Sequence, residues 1–290
     1  MNYRISHRTV YDYSEPVTVS HHAARLTPRI TRGQTFEDFT IHIEPEPTIR
    51  KLRLDYFGNG VCFFSIQSIH QRLEVTASSI VVTSSETPVA TGLSPGWESV
   101  ARLFRDPVSP DVVEPFQFVF DSPLLCASPE LAAYAAPSFT PGRPLLAAVS
   151  DLTQRIYREF EYDPVATTVS TPPAEVFAAR HGVCQDFAHV AIACLRSMGL
   201  PARYVSGYLR TIPAPGQPKL VGADASHAWF SVFSPGLGWV DFDPTNGVMP
   251  SEDHISVAFG RDFSDVSPLS GIITGGGEHT VDVAVDVDAS

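Results

Sequence analysis

The hydrophobic repeat of this chain changes period along its length, and any fold it adopts has to hold both kinds of segment. In the first stretch, to about residue 85, Tyr3, Ile5, His7, Thr9 and Tyr11 alternate with Arg4, Ser6, Arg8 and Asp12. A period of two places one set on one face of a strand. Leu52, Leu54 and Tyr56 alternate likewise, Gly58-Asn59-Gly60 supplies a turn, and Val61 to Ile66 continues as a hairpin partner. Val75, Ile80 and Val82 extend the pattern, which predicts a small antiparallel sandwich or barrel. From residue 145 the repeat becomes helical: Leu145, Val149, Leu152, Ile156 and Phe160 form one stripe. A second helix opens at Pro173 and ends before Gly182. A third runs from Cys184 to Met198 with Phe187, Val190, Ala191, Cys194 and Leu195 on its apolar face, and Gly199 and Pro201 stop it. The period then returns to two over 203–209, 227–233 and 238–242, and 279–288 alternates valines with acidic and small residues, the pattern of an edge strand. Helices followed by antiparallel strands predict an α+β class. Between the two regimes, ten prolines from Pro88 to Pro144 break the chain into short pieces, with a helical turn at Trp97, Val100, Ala101 and Phe104. Those pieces read as a connector wrapped on a domain.

Composition narrows the class of function. The 290 residues are 43% hydrophobic, enough for roughly two domains with their own cores. Twenty basic against 32 acidic residues leave −12, a poor match to phosphate backbones, so no nucleic-acid partner is expected. No Lys/Arg block suits a membrane surface and no run of about 18 apolar residues exists. The start, MNYRISHRTVYDYS, lacks the apolar core of a signal peptide. Cys62, Cys126, Cys184 and Cys194 show no CxxC pairing, so free thiols in a reducing, cytoplasmic compartment are expected.

Three residues could carry chemistry together. Cys184 opens the third helix, where the positive end of the helix dipole and unpaired N–H groups favour a thiolate and could hold an oxyanion. His227, in Ser226-His227-Ala228-Trp229, opens a strand and could serve as its base. Asp243 ends a following strand and could fix the imidazole tautomer. Each alone has a structural reading: Cys is among the most buried residue types, a lone His beside an aromatic packs, and Asp before Pro makes a turn. Asp241 shares a strand face with Asp243 and could also reach the imidazole. Cys194, mid-helix on the apolar stripe, belongs to the core. Gln185 could support an oxyanion through its backbone N–H. His189 is expected on the polar face of its helix, solvated or at a cleft rim. Arg203, Tyr208 and Trp229 could line the cleft or pack in the sheet. No ligands stand at zinc spacing and no EF-hand loop appears, so neither a metal nor any other cofactor is expected; His7, His21 and His22 are read as surface or fold residues.

The segments Gly182-Val183-Cys184-Gln185-Asp186-Phe187-Ala188-His189, Gly199-Leu200-Pro201-Ala202-Arg203, His227-Ala228-Trp229 and Trp239-Val240-Asp241-Phe242-Asp243-Pro244-Thr245-Asn246 resemble the bacterial transglutaminase-like superfamily. Tyr3 to Arg29 is similar to the β-rich region that precedes this core in many bacterial members, and Gly260-Arg261-Asp262 with Gly275-Gly276-Gly277-Glu278-His279 is similar to their tail. The resemblance implies an N-terminal antiparallel β-sandwich (1–88) followed by a papain-like transglutaminase core (89–290) that includes the proline-rich connector (89–144) and the C-terminal strand. It implies Cys184 as nucleophile, His227 as base and Asp243 as orienting carboxylate. The expected reaction is cleavage or acyl transfer at a peptide or glutamine amide through a thioester, on a peptide or protein substrate, with hydrolysis favoured. Protein cross-linking and a non-catalytic scaffold are the alternatives.

Overall fold

The computed structural model describes residues 1–84, 89–106, 110–168, 171–211 and 225–289, with Ala225 described as backbone only. The first sheet is organised by one long strand, β1 (Asn2–Ala24). With it go β2 (Gln34–Glu44), β3 (Ile49–Leu54), β4 (Gly60–Ile66) and β5 (His70–Thr83). The order is β2-β5-β1-β4-β3, all antiparallel. The first half of β1 pairs with β5 and the second half with β4, the register breaking between Asp12 and Val17. One strand therefore serves two layers. Val17 and Ala24 of β1, Cys62, Phe64 and Ile66 of β4, and Ile41, Ile43, Leu73 and Val75 of β2 and β5 close on a common core. The expected sandwich is thus one continuous sheet folded over on itself.

The C-terminal half begins with short helices that the prolines delimit: α1 (Trp97–Arg105), α2 (Val113–Phe116) and α3 (Pro129–Ala135). Ser128 caps α3 by accepting from Leu131 N–H, with Pro129 in the first turn, where its missing N–H costs nothing. Val100, Phe104, Leu131 and Tyr134 from this region join one core with α4 (Leu145–Glu159), which buries Leu145, Val149, Leu152 and Ile156 as its stripe requires. A two-residue strand, β6 (Glu161–Tyr162), runs parallel to β7 (His181–Gly182) on either side of α5 (Pro173–Ala179). Then come α6 (Cys184–Ser197), β8 (Ala202–Leu209), β9 (Ala225–Ser234), β10 (Gly238–Phe242) and β11 (His254–Gly260). These four strands form an antiparallel sheet in the order β10-β9-β8-β11. Ala202, Tyr204, Ala228, Phe230 and Val232 share a core with α6. That helix is not amphipathic in place: every residue from Gln185 to Arg196 is buried, because α3, α4 and α5 cover the side turned from the sheet.

After α7 (Phe263–Val266) the chain returns to the first sheet. β12 (Leu269–Gly275) pairs with the second half of β1, and β13 (His279–Ala289) with the first half. The alternating C-terminal strand, grouped by sequence with the second half, hydrogen-bonds to the N-terminal half instead. The reason is that β1 has a free edge and β13 has valines to bury. Val285 and Val287 pack with Tyr3, Ile5 and Val81 against Tyr208, Ile255 and Val257 of the second sheet. That apolar cluster joins the two halves, and among the described residues β13 pairs with β1 alone, the edge position that its acidic face predicts.

Candidate active site

The start of α6 is fixed by Asp186. Its Oδ2 accepts from Val183 N–H at 2.9 Å and from the Thr167 hydroxyl at 2.6 Å. Residue 182 must be small, since a Cβ there would stand 2.6 Å from the same oxygen. Burial raises the Asp186 pKa, and its two hydrogen bonds oppose the rise. This places Cys184, half-buried, in the first helical turn, where N–H groups lack intrahelical acceptors.

His227 lies on β9 opposite Gly207 of β8. A Cβ at residue 207 would meet the Ile255 carbonyl oxygen at 2.1 Å and the Trp229 indole at 2.6 Å, so the glycine makes the room in which the Trp229 ring lies. The imidazole is buried, with Nε2 2.8 Å from Asp243 Oδ2. A carboxylate can only accept, so Nε2 carries the hydrogen. Cys184 is among the groups that raise the pKa of the same imidazole, and with Nε2 committed to Asp243 the ring nitrogen left for a thiol is Nδ1. Burial works against the imidazolium, but the interactions with Asp243 and Cys184 outweigh it and push the His227 pKa up to about 9.

Asp243 sits just beyond β10, where its backbone bridges to Val248. It is completely buried. Its Oδ1 accepts from the backbone N–H groups of Thr245 and Asn246 at 2.9 and 3.2 Å. Its Oδ2 accepts from His227, from the Asn246 amide at 2.7 Å and from His254 Nε2 at 3.1 Å. Burial alone would raise its pKa, yet these donors, His227 foremost, hold it well below the ordinary carboxylate range. Asp241 turns elsewhere, to Trp229 Nε1 at 3.0 Å and to the Ser231 hydroxyl.

The other residues singled out by sequence fare differently. Gln185 is buried in the first turn of α6. His189 is not at a rim: it is 2% exposed, rests against the Tyr204 ring, and its Nε2 accepts from Phe263 N–H at 3.2 Å. Burial lowers its pKa to about 4, so it is a neutral core histidine. The helical wheel missed this because α7 packs over what looks like the polar face. Arg203 is held in the sheet, its guanidinium 3.7 Å from the Phe259 ring centroid and 4.3 Å from that of Trp239. Tyr208 is buried and bonded to His7 at 2.9 Å, at the junction of the two halves. Trp229 is fully buried beside His227. Sequence reasoning passed over Asn246, although it stands in the quoted Asp243-Pro244-Thr245-Asn246 segment, and His254. The alternation from Ile255 to Phe259 could have marked β11 and hence the residue that opens it. His227, Asp243 and His254 also offer three ligand atoms within 4.8 Å of one another, a cluster that spacing along the chain did not disclose. A cation there would have to displace the protons by which both rings bond Asp243.

Helices packed on an antiparallel sheet, with a thiol at a helix start facing an imidazole on that sheet, define a papain-like core. The comparisons carry this to a family. The profile of the bacterial transglutaminase-like N-terminal region matches residues 3–82, and that of the transglutaminase-like superfamily matches residues 132–244. An uncharacterized protein of Mycobacterium tuberculosis is 43% identical over 98% of this chain and 92% of its own length. A protein-glutamine gamma-glutamyltransferase of Pseudomonas aeruginosa is 36% identical over 34% of this chain and 16% of its own. The crystal structure of a Cytophaga hutchinsonii protein, described as a candidate cysteine protease, superposes with a TM-score of 0.75 over 99% of this chain and 90% of that one, at 21% identity. The chain belongs to the transglutaminase-like superfamily, with the N-terminal region of its bacterial members. Among the described residues no helix is long and apolar enough to cross a membrane.

Proposed function

We propose that the protein is a cysteine-dependent amide hydrolase acting on a peptide or protein substrate, with Cys184 as nucleophile, His227 as acid and base, and Asp243 as the carboxylate that orients it. The observation that carries this reading is the 2.8 Å bond from His227 Nε2 to the buried Asp243, with the Cys184 thiol at the start of α6 among the groups that act on the same ring. The Cys184 thiolate attacks the amide carbon, and the carbonyl oxygen takes the charge near the first-turn N–H groups of α6. The His227 imidazolium protonates the departing nitrogen, the C–N bond breaks, and a thioester remains. Water then attacks the thioester, His227 accepts its proton, and the free acid leaves with the thiol restored. Asp243 keeps the hydrogen on Nε2, so that Nδ1 alone exchanges protons. A reducing compartment, the cytoplasm, suits a free thiol in this role.

A second reading is transfer to a lysine amine instead of water, favoured by the glutamyltransferase relative. Bulk water, at about 55 M, wins unless a site concentrates the amine by proximity. The test supplies a glutamine-containing peptide with a labelled primary amine at a few millimolar and quantifies acid and adduct by mass spectrometry. Free acid in excess is expected. Adduct in excess makes the protein a cross-linking transglutaminase, and neither product makes it a scaffold.

A further inference from the structure

His254 reaches the same carboxylate oxygen as His227, and its own orientation is fixed. Its Nε2 lies 3.1 Å from Asp243 Oδ2 and its Nδ1 accepts from Ser251 N–H at 3.3 Å. A ring nitrogen that accepts carries no proton, so the neutral ring holds its hydrogen on Nε2 and donates it to Asp243. The ring stands edge-on to Trp229, centroids 5.3 Å apart, and Trp229 is itself tied to Asp241.

The strand that His254 opens is fixed from the other half of the molecule. Among the described residues β11 is an edge of the second sheet, and an edge strand has backbone groups without a ladder partner. Two buried side-chain amides from the N-terminal sheet supply partners. Gln34 donates to the Ser256 carbonyl and accepts from Ser256 N–H, each at 2.8 Å. Asn59 does the same for Phe259, again at 2.8 Å each way. Paired contacts of this kind fix a strand along its own axis as a neighbouring strand would.

We propose that His254 is a positioning residue that holds the Asp243 carboxylate on His227, and that the N-terminal sheet sets it there through Gln34 and Asn59. The inference rests on the reading of Cys184 and His227 given above. A buried carboxylate that loses one donor turns toward another partner, and the imidazolium opposite it loses its fixed counter-charge. The N-terminal sheet is thereby part of the site's support without touching the reacting atoms.

Alkylation of the full-length protein by iodoacetamide at pH 6, with peptides mapped by mass spectrometry, tests this without a known substrate. In the wild type Cys184 labels faster than the exposed Cys126, and His227→Gln removes the advantage. His254→Met fills the space without a donor and slows Cys184 labelling on the order of tenfold, as loss of a hydrogen bond to a buried charge implies. His254→Gln keeps a donor and stays near the wild-type rate, and Gln34→Met lowers the rate in the same direction as His254→Met. If circular dichroism shows His254→Met unfolded, His254→Asn, too short to reach Asp243, replaces it with the same expectation. A wild-type rate in the Met or Asn variant, while His227→Gln has lost the advantage, overturns the role of His254 and leaves the thiol–imidazole pair standing. Equal slowing in the Met and Gln variants overturns it too, since ring packing alone would then explain the loss. A wild-type rate in Gln34→Met overturns the part given to the N-terminal sheet. Absence of any Cys184 advantage in the wild type sinks the reading of Cys184 and His227, and this inference with it.

Discussion

At the scale of single residues, the two aspartates at the end of β10 separate cleanly. Asp243→Ala removes the acceptor of His227 Nε2 and is expected to lower kcat/KM on the order of 10²-fold or more. Asp241→Ala leaves that bond intact and strands Trp229 Nε1 and the Ser231 hydroxyl, so its effect falls on stability, about 1–3 kcal/mol. Steady-state kinetics beside thermal unfolding of both variants checks the split, and the reverse ranking would mean that the carboxylate has been misassigned. Titration of the pair gives a second expectation. His227 is raised from 6.5 to about 9, so its contribution to stability is complete below pH 6.5 and gone once pH passes about 9. Asp243 is depressed below 3.8, so its contribution is present above that value and lost as pH falls through the lower folded-state value. The stability difference between wild type and His227→Gln is therefore expected to shrink as pH rises from 6.5 to about 9. Turnover that needs the imidazolium falls over the upper part of that range, and a thermal-unfolding difference that grows there would contradict the assignment.

At the scale of elements, the site depends on a close approach between β8, β9 and β11 that one glycine permits. Gly207→Ala forces a methyl against the Ile255 carbonyl and the Trp229 indole. The expected cost is about 1–3 kcal/mol, the usual range for overpacking, with lower activity because His227 lies directly opposite on β9. Circular dichroism melting of the variant measures it, and an unchanged melting temperature would show that the strands give way without strain. The elements themselves were largely legible from periodicity: α4, α5, α6, β8, β9 and β10 form where the repeat predicts. β11 was passed over although Ile255 to Phe259 alternate, because that run is short and lies between a turn and a glycine. β2 was not legible, since Glu37, Asp38 and Thr40 interrupt the apolar repeat and pairing with β5 provides the hydrogen bonds.

At the scale of the whole molecule, the C-terminal strands close what the N-terminal strand begins. Removing residues 269–289 would expose one edge of β1 along both of its halves and unbury Val285 and Val287. Those two side chains alone account for about 3–6 kcal/mol of hydrophobic stabilisation, a large part of the 5–15 kcal/mol typical of a folded domain. The truncated protein is expected to melt far below the full chain and to accumulate as insoluble material. Fractionation and thermal unfolding decide it, and a soluble truncated protein with near wild-type melting would show that the C-terminal half stands without this seal.

The sequence by itself determined the local facts. Period gave the element types, prolines and glycines their ends, and the motif around Cys184, His227 and Asp243 the family and the likeness of a site. Those are properties of neighbours along the chain, where dihedral preference and side-chain alternation act directly. Only the tertiary structure decided that His189 is core, that Asp241 serves Trp229, that β13 belongs to the first sheet and that His254 meets Asp243. Each of these depends on which groups from distant segments are desolvated together, and a buried hydrogen bond takes its partner from whatever the fold brings within reach.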